Sequence, residues 1–283
     1  MASASLKTVL LTAVAMLAFA ANSLLCRLAL GLEQIDAASF TSVRIISGAV
    51  AMGLMILPSV RSSERSEVHW RSVLALFSYM ICFSLAYLSL AAGTGALILF
   101  GAVQITMIVN ALRSGERFPA AAWFGLMLAV SGLVYLVSPG VTSPDPVGAV
   151  LMATAGIAWG FYSLFGKTAT NPMQSTAYNF IYSVPLALLV SALLWRDFHL
   201  TPTGVGLAVA SGVLASGLGY YVWYLALRNL AAIQAATVQL SVPVIAAIGG
   251  VIVIAEPVTP RLVAASIATL GGIAIVLKRR RAA

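Results

Sequence analysis

"IGGVIVIAEPVTP", Ile248 to Pro260, is a long apolar run that ends abruptly in one carboxylate, Glu256, with Pro257 and Pro260 close behind it. A corner of the same kind lies near the middle of the chain, in "NALRSGERFPAAAW", Asn110 to Trp123, where the acid is Glu116. The two glutamates are 140 residues apart in a chain of 283. That spacing is close to half the length, so the corners mark equivalent places in two comparable parts.

The sequence around them is written for lipid. Hydrophobic residues make up 61% of the chain and charged residues 8%, against about 25% charged in soluble domains. Such a chain cannot cover a water-facing surface. A membrane-spanning helix needs about 20 mainly apolar residues, and ten runs qualify: roughly 8–28, 36–57, 72–91, 94–112, 119–137, 147–167, 174–194, 203–226, 231–254 and 259–277. The expected fold is therefore an all-α integral membrane protein of ten transmembrane helices. The polar connectors, such as "PSVRSSERSEVHWR" (58–71) and "WRDFHLTP" (195–202), are too short to hold a soluble domain. The first run also has the outline of a signal peptide, with Lys7, an apolar stretch and the small residues of "AFAAN" (18–22). The repeat described next uses that segment, which argues against its removal.

The net charge of +8 does not mark a nucleic-acid partner, because the basic residues flank apolar runs rather than forming one face. With a cytoplasmic N-terminus, twelve of the sixteen lysines and arginines fall at cytoplasmic ends, leaving Arg27, Arg44, Arg196 and Arg261 on the other side. The positive-inside rule then predicts that both termini are cytoplasmic; the expected location is a bacterial-type inner membrane. Cys26 and Cys82 lie within apolar runs and have neither disulfide nor metal spacing.

A shift of 140 residues lays "AFAANSLLCR" (18–27) over "AWGFYSLFGK" (158–167), Phe40 over Phe180 and Glu116 over Glu256. Each half holds five spans. Five is odd, so the second copy enters the membrane inverted. The expected units are 1–140 and 141–283, with Glu116 facing the cytoplasm and Glu256 outside. Inverted repeats of this kind place a transport site near the midplane where the halves meet.

The ten-span plan, Trp159-Gly160, Arg44 within "TSVRIISG" and the two glutamate corners together resemble the drug/metabolite transporter superfamily. The resemblance is to its EamA-type members, which export amino acids, aromatic ones among them, and other metabolites. It covers essentially the whole chain, although the first half has Phe19-Ala20 in place of the Trp-Gly pair and Val103 opposite Pro243. It implies a central cavity lined by spans one, three, four, six, eight and nine, and alternating access by rocking of the halves. It also implies that Glu116 and Glu256 are structural corners, where a carboxylate beside the backbone donors of a helix end is favourable.

The midspan residues narrow the cargo. Arg44, about two turns into the second span, is the main charge at lipid depth, where a charge faces protein or water. Two readings stay open for it: a structural pairing with a backbone carbonyl or Asp36, and contact with a substrate carboxylate. Arg27 and Lys167 sit at span ends and can snorkel toward headgroups. No acid lies midspan, which speaks against a strong cation as cargo. Phosphates and nucleotide sugars would call for several inward lysines or arginines. Neutral donors and rings suit amino acids instead. Asn22, Gln104 and Gln239 are expected to hold the amino and carboxylate groups; Trp159, Tyr79 and Tyr224, with Tyr162, are expected to line the side-chain site. Pro185 and Pro243 interrupt backbone bonding within spans seven and nine and are candidate hinges. Small residues recur every four positions at Gly125/Ala129 and Ala208/Gly212/Ser216, a pattern that lets helices approach closely.

The expected function is amino acid export, with small-molecule substrate and membrane lipid as partners, no cofactor and no metal. An intramembrane enzyme is disfavoured: His69 and His199 fall in connectors, and no H-E-x-x-H or midspan aspartate pair occurs. Lipophilic cations or nucleotide sugars are the alternative cargo. Ten spans can enclose a cavity within a monomer.

Overall fold

The computed structural model describes residues 6–60, 68–113, 120–138, 140, 143–166, 169, 171–227, 229–230 and 238–280. Ten helices organise these residues: α1 (Leu6–Gly31), α2 (Ala37–Val60), α3 (Trp70–Ala86), α4 (Ala92–Arg113), α5 (Ala120–Val137), α6 (Pro146–Gly166), α7 (Pro172–Leu193), α8 (Pro202–Leu227), α9 (Ser241–Ile254) and α10 (Pro260–Arg280). Six are long and apolar enough to cross a membrane, and α3, α5, α9 and α10 carry shorter apolar runs. They fall on the ten runs expected from the sequence. The third ends earlier than its apolar run, because residues 87–90 form a turn rather than another helical turn.

Local chemistry sets the starts. Asp36 accepts from the Ser39 N–H ahead of α2, and Asp145 from the Gly148 N–H at α6. Asn171 and Thr201 accept from the amides of Gln174 and Gly204 at α7 and α8. In α6, α7, α8 and α10 a proline occupies the first helical position, where its missing N–H costs nothing and its fixed φ suits the helix.

The main packing pairs are α5 with α10, α2 with α7 and α4 with α9; α6 packs on α3 and α4, and α1 on α8 and α9. Exchanging each helix for the one five places along returns the same set of pairs. The α5–α10 crossing is a close one. A Cβ at Gly125 would stand 2.5 Å from the Gly272 carbonyl oxygen, so backbone meets backbone there, as small-residue stripes allow. The outer faces are apolar, with Leu54, Phe124, Ile252 and Ile267 at 61–77% exposure, as a lipid-facing surface requires. A groove of about 630 Å³ runs between α4, α5 and α6, with Arg113 at one end and Pro146 at the other.

Five connections gather at one end of the bundle, here termed the corner end. Asp36 accepts from the His199 N–H and Thr201 donates to the Gln34 carbonyl, tying the α1–α2 connection to α7–α8. Ser89 donates to Asp145 and Arg261 to Ser138. The start of α1 and the end of α10 lie at the opposite end.

Candidate functional site

Near mid-depth, α1, α3, α4, α6 and α8 converge on a ring of aromatic and polar side chains. The rings of Phe19, Tyr79, Trp159 and Tyr220 touch one another: Trp159 stands 4.9 Å from Tyr79 and 4.8 Å from Tyr220, centroid to centroid, with Phe19 5.8 Å away at its edge. Asn22 and Ser23 add polar groups from α1, and together they enclose a void of about 10 Å³. That is room for about one water. The site is packed shut, and any solute requires its walls to part.

Arg44 lies directly behind this ring and is wholly buried. Its Nε donates to Ser216 Oγ at 3.0 Å, and its Nη2 donates to the hydroxyls of Tyr79 (3.2 Å) and Tyr220 (3.3 Å). The guanidinium also lies over the rings of Phe83 (5.2 Å) and Tyr79 (5.4 Å), a cation–π arrangement. The sequence expectation of a backbone carbonyl or Asp36 as its partner is not met. Asp36 is engaged by the amides of Ser39 and His199 at the corner end, and α2 carries Arg44 two turns deeper, where hydroxyls from α3 and α8 are nearest. Nη1 of Arg44 and Nε1 of Trp159 are buried donors without an acceptor.

α8 is shaped around this contact. Residues Ser211–Leu218 form a π-helical stretch, a wider turn that recurs at functional sites. Ser211 at its start donates to Asn22 Oδ1 at 2.7 Å, and Ser216 receives Arg44. Gly212 fits against the Arg44 carbonyl and Ser47, with no room for a Cβ.

At the corner end the site is sealed. Tyr79 and Phe83 of α3 and Tyr87 just past its end form a file of rings with centroids 5.3 and 4.8 Å apart, the second pair edge to face. Above them, Glu256 Oε1 pairs with Arg27 Nε at 2.9 Å, and Glu256 Oε2 accepts from the Ala92 N–H at 2.8 Å. Arg27 also donates to the Tyr87 carbonyl at 3.2 Å. The carboxylate of the α9–α10 corner thus holds α1 and caps α4. Arg27 is turned into this pair rather than toward headgroups, because the carboxylate is within reach. Glu116 lies outside the described residues, as does Lys167.

The other expected residues separate into groups. Asn22, Tyr79 and Trp159 come together in the cavity wall, and Tyr162 adjoins it, 5.5 Å from Trp159. Gln104, Tyr224 and Gln239 are buried but do not line the void; each lies nearer the opposite end. Pro185 is within α7 but faces outward. Pro243 is buried in the first turn of α9, just after a break at Leu240, so it opens a helix instead of kinking one. Phe19, Phe83 and Ser216 are not among the site residues expected from the sequence, where Phe19 enters only through the repeat and Ser216 only in a small-residue stripe. Under the 140-residue shift Phe19 is the counterpart of Trp159 itself.

With this geometry in view, comparison with known proteins identifies the lineage. Residues 146–278 match the EamA-like transporter family. The chain belongs to that family. "Uncharacterized protein PA1977" of Pseudomonas aeruginosa is 47% identical over 97% of this chain and 96% of its own length. "Uncharacterized transporter YwfM" of Bacillus subtilis is 27% identical, covering 82% of this chain and 81% of its own. The threonine/homoserine exporter RhtA of Escherichia coli is 33% identical over 53% of this chain and 52% of its own. A solved structure described only as "Crystal structure of protein" matches with a TM-score of 0.69 at 19% identity, covering 99% of this chain and 98% of that one. At that identity it supports the fold. The chain is a membrane transporter of that family, and two of these relatives, YwfM and RhtA, bear transporter or exporter names.

Proposed function

We propose that this transporter exports neutral amino acids, aromatic ones included, across a bacterial inner membrane. The observation that carries the reading is the mid-depth cluster of Trp159, Tyr79, Tyr220 and Phe19 around Asn22 and Ser23. Rings can hold a side chain while neutral polar groups and a cation receive the zwitterionic head. The partial match to a threonine/homoserine exporter agrees with an amino acid cargo.

In this reading residues 1–140 and 141–283 are inverted halves that rock about the cluster, and the termini are cytoplasmic. Opening then means separating α1, α3 and α4 from α6 and α8. At the corner end it also means releasing Glu256 from Arg27 and from the start of α4. The chain acts as a monomer, with no cofactor.

Uptake into liposomes containing only this protein tests the proposal, with labelled phenylalanine, threonine and a lipophilic cation, with and without a pH gradient. Saturable amino acid uptake is expected. Uptake of the cation with none of either amino acid would replace this reading with the alternative cargo.

A further inference from the structure

The core is rich in donors, and its acceptors are neutral: hydroxyls, among them the buried, unpaired Ser23 Oγ and Tyr162 Oη, and the amide oxygen of Asn22. Three donors converge on the single hydroxyl oxygen of Tyr79: Asn22 Nδ2 at 3.2 Å, Arg44 Nη2 at 3.2 Å and the Tyr220 hydroxyl at 3.4 Å. Arg44 Nη1 and Trp159 Nε1 are buried with nothing to donate to. Asn22 Oδ1 is already engaged by Ser211. Every carboxylate among the described residues stands in a connection at the corner end, so the guanidinium keeps a full charge with no counter-ion beside it. A buried charge without a partner is costly, and a charged donor binds an ionised acceptor about twice as strongly as a neutral one. What the cluster lacks is an anion with two acceptor oxygens.

We infer that Arg44, reached between the Tyr79 and Tyr220 hydroxyls and joined by the Trp159 indole N–H, is the receptor for the carboxylate of the transported molecule, and that the ammonium group is dispensable for binding. This rests on the reading of the cluster as the transport site. The carboxylate takes the unused Nη1–H and indole N–H and parts the two phenols. The ammonium, by contrast, meets no acid in the described core and is left with ring faces and neutral oxygens. A carboxylic acid without an amine therefore binds; an amine without a carboxylate is repelled by the guanidinium.

The test measures the Tm of the detergent-purified protein against matched ligands: phenylalanine, 3-phenylpropionate and phenethylamine, and threonine, 3-hydroxybutyrate and 1-amino-2-propanol. At least one amino acid and its des-amino acid are expected to raise Tm, and the amines are not. Arg44→Gln is expected to weaken carboxylate binding by about tenfold or more. Trp159→Phe keeps the ring and removes the N–H; it is expected to weaken carboxylates several-fold and to serve where Arg44→Gln folds poorly. An amine that matches its acid, carboxylate binding unchanged in Trp159→Phe and Arg44→Gln, or no shift with any carboxylate would overturn the inference. Carboxylate binding that depends on Arg44 without amino acid uptake in liposomes would sink the export reading and leave this one standing. Uptake competed equally by amines would do the reverse.

Discussion

Arg27, near the end of α1, holds a carboxylate; Arg44, two turns into α2, holds only hydroxyls. Both are arginines in an apolar protein, and the difference lies in what the fold places opposite each. At the corner end Glu256 neutralises Arg27 and spends its second oxygen on the Ala92 N–H, so the contact is complete. In the core the guanidinium has donors to spare and a charge no neighbour cancels. A completed ion pair fixes helices in place. An uncompleted one is an affinity waiting for a partner.

The comparison breaks first at Arg44. Arg44→Met removes the charge and preserves bulk. Replacing a buried ion pair by apolar groups of similar volume is often neutral or stabilising, and removing Arg44 leaves no acid unpaired behind it. The expected outcome is transport reduced by about a hundredfold or more, equivalent to roughly 2.7 kcal/mol, with Tm unchanged or raised. A large fall in Tm would mean that Arg44 holds the fold as Arg27 does, and the two regions would no longer differ in kind. Trp159→Ala, in the same wall, is expected to weaken transport while the protein still folds.

Glu256→Ala should behave in the opposite way. It leaves Arg27 without its carboxylate and uncaps α4. The pair is partly exposed, at 22% and 12% for the two side chains, so the loss is scaled down from a fully buried pair, to about 2 kcal/mol of stability. A double-mutant cycle with Arg27→Gln isolates the pairwise part, expected at about 1–2 kcal/mol. A coupling near zero would reduce the corner to a cap alone.

Gly212→Ala sharpens the link between α2 and α8. The new Cβ would meet the Arg44 carbonyl and the Ser47 hydroxyl, and overpacking costs about 1–3 kcal/mol. Because the displaced stretch carries Ser216, transport should fall along with Tm. A variant that lost stability and transported normally would show that the π-helical stretch does not set the position of Arg44.

How much of this could be read in the sequence follows from the range of each interaction. The ten helices were legible because hydropathy acts residue by residue; the helix starts at Asp145-Pro146 and Thr201-Pro202 were set by caps that the apolar runs alone do not show. Glu256 was legible as a corner through the repeat. Arg44 was legible as an exceptional charge, but its partners were not. Tyr79 is 35 residues away, Ser216 172 and Tyr220 176; only packing decides that these hydroxyls, and not Asp36, meet the guanidinium. The same holds for the side chains that line the void. Many buried aromatics and amides were eligible, and Gln104, Tyr224 and Gln239 differ from Asn22 and Trp159 mainly in depth along their helices.

The smallest expected effect sits just before Glu256. Ala255 adopts φ 55 in the left-handed region, ending α9 with its N–H and that of Glu256 both directed at the Gly250 carbonyl. Glycine is the residue this conformation favours, and an alanine held there is strained. That strained turn aims the carboxylate back across the bundle at Ala92 and Arg27. Ala255→Gly keeps the turn and removes the strain, and should raise stability by about 0.5–1 kcal/mol after the greater flexibility of the unfolded chain is allowed for. Measured in the Glu256→Ala background, the same gain should persist, because it belongs to the backbone and not to the ion pair. If the gain appears only when Glu256 is present, the turn is strained by the pull of the ion pair, and the corner is set by its charges more than by the end of its helix.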